Sequence, residues 1–303
     1  MGKVMKILVA QQYGVGNAVM TTPLIKALSM LKHSVSCSYD ERRAGVKLVL
    51  GDLPEVDRVY GCGDFVGIKK VKFDLLIPCG RLPKLQSYYS IHRAIYPFKD
   101  IPQKVSQSEL PTLYKKHEID YMMDAARELG YTGPCPHPYI GKYDYVVPEV
   151  VGRKVALGIG YFKNDPWSKL KHWGNAWYAK LTRDLASKGV SCFLVGGPSD
   201  IDDAKQIMAQ AAVNTYDVTK QVSLRWMFGM IAACDCFVGN DTGLAHAAAA
   251  LKKPTLTIFQ QGVSSIIKNS PRGARATYIV EKSYGSAYDD ILSWVCEAVS
   301  GGL

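Results

Sequence analysis

The feature that most constrains this chain is a strand-to-helix junction at residues 234–254, CDCFVGNDTGLAHAAAALKKP. The apolar run 235–238 predicts a short strand, and Gly239 and Asn240 a turn. Asp241 then reads as the N-cap of a helix over 242–251. A junction of this kind turns free backbone N–H groups and the positive end of a helix dipole toward one spot, which suits a phosphate. Thr242 and His246 are four residues apart and would share a helix face. An Asp-capped helix with a satisfied core histidine fits the same string, so the junction acquires meaning only from its surroundings.

Those surroundings repeat it. Lys6–Gln11 (KILVAQ) reads as a buried strand feeding a turn loosened by Gly14 and Gly16, then a helix over 17–31 that Pro23 should kink. Strands are expected at 35–39, 56–62 and 74–79, with a helix at 43–50. Gly80 and Arg81 fall where the fourth strand ends, the edge at which open parallel sheets keep their ligands. An amphipathic helix at 118–129 (EIDYMMDAAREL) closes this half. The Pro- and Gly-broken stretch 135–152 reads as a linker, after which the alternation restarts with strands at 154–159, 190–195, 235–238, 255–259 and 276–280. Alternating strands and helices predict parallel sheets with crossovers, hence an α/β chain of two Rossmann-like domains, 1–145 and 146–303. The final helix, 288–299, could also pack back on the first domain.

Composition narrows the function classes. At 303 residues and 48% hydrophobic content there is material for two cores, and no apolar run reaches the ~18 residues of a membrane span. The start MGKVMKILVAQQ lacks a cleavage pattern, so the expected location is the cytoplasm, including the inner face of the membrane. Eight cysteines (37, 62, 79, 135, 192, 234, 236 and 296) form no C-x-x-C pair, and no zinc site is expected. The turn G-V-G-N-A-V lacks the third glycine of a dinucleotide fingerprint. Net charge is +10, and residues 58–117 hold eleven Lys or Arg against four acids. That basic stretch favours an anionic partner or is simply a solvated face. Within it Tyr88, Tyr89, His92, Arg93, Tyr96 and Phe98 interleave aromatic and basic groups. The pattern suits stacking on a sugar or base, and equally a loop over a sheet edge.

Taken together, GVGNAVMTTPLIKAL, LPEVDRVY, SKLKHW, FLVGGPSDIDDAKQI, VSLRWMFGMIAACDCFVGNDTGLAHAAAAL and KPTLTIF resemble the heptosyltransferase family, glycosyltransferase family 9. The resemblance spans most of the chain, is strongest in the C-terminal half, and fades between residues 83 and 148. It implies the GT-B fold, two Rossmann-like domains across a cleft, the first on the acceptor side and the second binding a sugar nucleotide such as an ADP-sugar. It implies that Asp241 meets the sugar and that Thr242, Gly243 and Leu244 donate to the phosphates, supported by His246 and approached by Gly16. Lys171 matches a lysine that neutralises the departing diphosphate, and Asp200 an acid at the nucleotide ribose. The acceptor would meet Arg81, Tyr88, His92 and Arg93. No cofactor or metal is implied beyond the sugar nucleotide, a co-substrate.

One position departs from the family pattern. Its general base is an aspartate where this chain has Asn17, and an amide cannot take a proton at neutral pH. Either another group takes the proton, or Asn17 only orients the acceptor, or the chemistry has changed. Asp40, Glu41, Asp64 and His92 are the first-domain alternatives. The expected activity is inverting glycosyl transfer to a phosphorylated glycan such as lipopolysaccharide core, reached by a peripheral membrane encounter. Two other readings remain open: a GT-B enzyme modifying a hydroxymethylated base in viral DNA, and a sugar-nucleotide binder or isomerase without transfer. Oligomeric state leaves no trace in the sequence.

Overall fold

Apolar strand runs set the frame of the structure, a computed structural model that describes residues 3–80, 89–102, 109–163, 165–221 and 223–302. Arg81 and Tyr88 lie outside the described residues. The chain divides into two compact units, residues 1–142 and 143–303.

In the first unit the elements run β1 (Lys6–Gln11), α1 (Val15–Met30), β2 (Ser34–Tyr39), α2 (Ala44–Gly51), β3 (Val56–Gly61), α3 (Phe65–Val71), β4 (Leu75–Pro78), α4 (Leu110–Leu113) and α5 (Glu118–Glu128). The strands form a parallel sheet in the order β3-β2-β1-β4. Strand order reverses between β1 and β4, so the crevice outside Gln11 and Pro78 is the switch point at which such sheets bind ligands. Helix α1 starts two residues earlier than the glycines suggested: Gly14 is its N-cap and Gly16 lies in its first turn. The helix runs unbroken through Pro23. Proline cannot bond the Val19 carbonyl, and the Thr22 hydroxyl takes over that acceptor at 2.8 Å.

The interleaved segment is less of a loop than its composition suggests. Ala94 bridges Leu76, with Ile95 N–H on the Leu76 carbonyl and Leu76 N–H on that of Arg93. Tyr89 and Phe98 are buried among core aromatics, so these two serve packing. His92 and Arg93 are exposed.

The second unit runs β5 (Arg153–Gly158), α6 (Pro166–Lys169), α7 (Asn175–Ala186), β6 (Val190–Val195), a 3-10 turn (Pro198–Asp200), α8 (Ile201–Met208), β7 (Thr215–Asp217), α9 (Leu224–Ala233), β8 (Cys236–Asn240), α10 (Gly243–Ala250), β9 (Thr255–Gln260), α11 (Ile266–Asn269), β10 (Ala276–Glu281) and α12 (Tyr288–Val299). Its six strands are all parallel, ordered β10-β9-β8-β5-β6-β7, with the reversal between β5 and β8. Helix α12 buries Tyr288, Ile291 and Val295 in the core that covers one face of this sheet. Two successive Rossmann-like units constitute the GT-B fold that the resemblance implied. Among the described residues no helix is long and apolar enough to cross a membrane, and all eight cysteines are free.

Candidate functional site

The second unit's switch point lies between Gly158, the last residue of β5, and Asn240, the last of β8. Gly239 and Asn240 are therefore strand, not turn. Gly239 must be a glycine because a Cβ there would come within 2.7 Å of the Gly158 carbonyl oxygen. The buried Asn240 amide ties the region together. Its Oδ1 accepts from the Trp173 backbone N–H and the Tyr178 hydroxyl, each at 3.0 Å, and its Nδ2 donates to the Ile159 carbonyl at 3.1 Å. Trp173, fully buried, gives its indole N–H to Glu281 at 2.8 Å. The segment carrying Lys171 is thus fastened to the ends of both central strands.

Lys171 reaches Asp241 at 2.7 Å, with its side chain about a quarter exposed and that of Asp241 buried. Asn269, at the end of α11, donates to both Asp241 oxygens at 3.1 and 3.3 Å. Burial, the largest single influence, would raise the Asp241 pKa, but the Lys171 charge and hydrogen bond, with smaller help from Ser264 and His246, together hold the carboxyl below its usual range. Asp241 is consequently not the N-cap. The extended residue Thr242 occupies that position, without a side-chain capping bond, and the helix begins at Gly243. The Asp241 oxygens are taken by Lys171 and Asn269, which leaves the helix tip uncapped. Thr242, Gly243 and Leu244 are half-buried there, at the dipole's positive end. His246 is buried one turn on, and burial pushes its pKa down to about 4 against the pull of Asp241. It is neutral at pH 7, and its Nδ1 has no partner among the described residues.

Asp200 stands apart from this cluster. Its carboxylate is tucked beneath the 196–197 turn and accepts the Gly197 N–H at 2.8 Å, and burial raises its pKa. A Cβ at Gly160 or Gly196 would come within 2.6 or 2.8 Å of the Asp200 Oδ2, so both glycines make room for it. Beside it Lys163 pairs with Asp203 at 2.7 Å, and the Tyr161 ring meets the half-buried His172 at 4.9 Å.

In the first unit Asn17 occupies the first turn of α1 and is half-buried. Gln11, the last residue of β1, donates to the Asn17 carbonyl at 3.2 Å and the Thr21 hydroxyl at 2.8 Å. The Asn17 side-chain amide donates to Glu118 at 2.9 Å. Glu118, buried at the start of α5, carries a carboxylate absent from the sequence-based candidates. Those candidates are engaged elsewhere. Asp40 is clamped by Arg42 at 2.6 Å, Glu41 accepts from Cys62 and Gly63, and Asp64 caps α3 through Gly67. Asp40, Glu41 and Cys62 bring ligand atoms within 4.8 Å of one another, but the Arg42 guanidinium already fills the charge requirement of Asp40.

Comparisons with known proteins converge on one family. Residues 161–289 match glycosyltransferase family 9 (heptosyltransferase). The lipooligosaccharide heptosyltransferase 2 of Haemophilus ducreyi is 32% identical over 125 residues, 40% of this chain and 36% of its own length. The Escherichia coli lipopolysaccharide heptosyltransferase 2 is 31% identical over 107 residues, 33% of this chain and 30% of its own. The chain thus spans about a third of the length of these curated relatives. Among solved structures, E. coli ADP-heptose lps heptosyltransferase II superposes with TM-score 0.78 at 17% identity, covering 98% of this chain and 99% of that one. An E. coli heptosyltransferase solved with ADP gives TM-score 0.75 at 16% identity, covering 97% and 100%. These two show the fold. The family match contains Lys171, Asp200, Asp241 and the tip of α10, so the part of the chain that carries the candidate site is the part similar to glycosyltransferase family 9.

Proposed function

We propose that this protein is an inverting glycosyltransferase that moves a sugar from a nucleoside diphosphate sugar, of the ADP-heptose class, to a hydroxyl of a phosphorylated glycan. The observation that carries this reading is the Lys171–Asp241 pair beside the half-buried, uncapped tip of α10, at a switch point inside the family 9 domain. Glycosyl transfer passes through a cation-like anomeric centre while negative charge gathers on the leaving diphosphate. Fixed N–H groups of Thr242, Gly243 and Leu244, with the Lys171 ammonium, oppose that charge without reorganising. One such donor is worth about 3 kcal/mol of barrier. The Asp241 carboxylate lies where it can meet the developing positive charge on the sugar, while neutral His246 lines the floor. Asp200 acts on the nucleotide by shaping the 196–197 turn.

The donor class is supported by the solved relatives, one holding ADP and another ADP-2-deoxy-2-fluoro heptose. The acceptor class is supported by the relatives' names, which specify lipopolysaccharide or lipooligosaccharide, and by the basic stretch 58–117. His92 and Arg93 are exposed on the first unit within this basic stretch, and the encounter with such an anionic acceptor would take place at a membrane surface. Thermal-shift titration with ADP, GDP and UDP and their sugars tests the donor, since a ligand of the folded state raises its melting temperature. Release of ADP from ADP-heptose on adding lipopolysaccharide truncated before its heptoses tests the reaction. No shift with any ADP compound would remove the donor assignment.

A further inference from the structure

The first unit has its own switch point, outside Gln11 of β1 and Pro78 of β4, and one buried carboxylate is tied to it. Glu118 opens α5, which His117 caps by accepting the Ile119 N–H at 3.1 Å. Helix α5 packs on α1 through contacts such as the Thr21 hydroxyl on the Met122 sulfur. That packing sets the Glu118 carboxylate against the first turn of α1, 2.9 Å from the Asn17 amide nitrogen. It also lies close enough to Cys79, the residue after β4, for its charge to add to the burial that pushes that thiol up to about 12. Gln11 and Thr21 both donate to the Asn17 backbone carbonyl, which fixes the turn of α1 from which the Asn17 amide reaches Glu118.

We infer that Glu118 is the group that accepts the acceptor's proton in this protein, with Asn17 as the positioning residue that fixes its carboxylate. The inference rests on the transfer reaction proposed above. An amide has no site for a proton at neutral pH, whereas a carboxylate one hydrogen bond away does. In the step, the acceptor O–H bond breaks and its proton passes to a Glu118 oxygen. The freed oxygen electron pair forms the bond to the anomeric carbon. The bond from that carbon to the diphosphate breaks, and its electrons leave with the diphosphate. Asp40 and Glu41 cannot substitute readily, since each is held in a separate cluster after β2 with Arg42 or Cys62.

The test uses the full chain, ADP-heptose and the truncated lipopolysaccharide, with ADP release as readout. Glu118→Gln keeps the shape and the Asn17 neighbour but cannot accept a proton. It should lower kcat by about 10²- to 10³-fold, leave the donor KM within threefold, and erase the acidic limb of the pH–rate profile. ADP should still raise its melting temperature as in the wild type, which establishes that the variant is folded. The double variant Asn17→Asp/Glu118→Ala moves the carboxylate across the hydrogen bond and should regain at least tenfold over Glu118→Ala. A Glu118→Gln kcat within threefold of wild type, or a double variant no faster than Glu118→Ala, overturns the inference while leaving the transferase reading intact. A wild type that binds ADP-heptose but releases no ADP with the acceptor overturns both.

Discussion

Each unit places a carboxylate beside an asparagine amide at the switch point of its sheet, yet the two pairs are built for different work. In the second unit Asp241 takes Asn269 and also the Lys171 ammonium, and the cation keeps it charged in spite of burial. In the first, Glu118 takes the neutral Asn17 amide. A carboxylate locked to a lysine resists a proton and serves as a fixed charge. One that accepts from an amide is oriented by a neutral donor. A lysine added to a carboxylate–amide pair thus makes it an electrostatic anchor.

The comparison can be broken most forcefully at its cation. Lys171→Ala is expected to lower kcat about 10³-fold and to destabilise the second unit by roughly 3 kcal/mol, because it strands a buried carboxylate. ADP-release kinetics and urea unfolding read the two effects separately. Lys171→Ala/Asp241→Asn should recover most of the stability and none of the rate. Next in size, Asn240→Ala should cost about 3 kcal/mol in urea unfolding, since it leaves buried groups of Trp173, Tyr178 and Ile159 unpaired.

A pH effect follows. The His246 pKa is near 4 when folded and about 6.5 when unfolded, so between these values the unfolded chain binds the extra proton. Stability is full above pH 6.5 and falls as pH drops toward 4, by roughly 3 kcal/mol in total. Urea midpoints measured across that range should show the decline, and His246→Gln should flatten it. Asp241, with its depressed pKa, adds a loss in the same direction at lower pH. The smallest effect belongs to the first unit's scaffold. Thr22→Val deprives the Val19 carbonyl of its hydroxyl partner and should cost about 1 kcal/mol in the same assay.

Strand and helix order was legible because burial on both faces leaves nearly continuous apolar runs, as in 190–195, and because amphipathic helices such as 288–299 carry their own period. The Asp241 cap was misread for a physical reason. An aspartate before a helix is ordinarily a cap, and only the distant Lys171 and Asn269 divert its oxygens. Asn269 sits in a four-residue helix with no motif of its own and leaves no local trace. Glu118 was visible as the first letter of an amphipathic helix. Its meaning depends on a partner 101 residues away, and the fold alone supplies that.

The Asn240 side chain has a wider implication. It clasps the loop that bears the Lys171 ammonium to two strands that bear the hydrophobic core, so the position of Lys171 is inherited from the interior. Substitutions deep in the second sheet should therefore surface first as slow turnover in a protein that still melts cooperatively. Residues far from any ligand would then be mistaken for catalytic ones in a screen that measures rate alone.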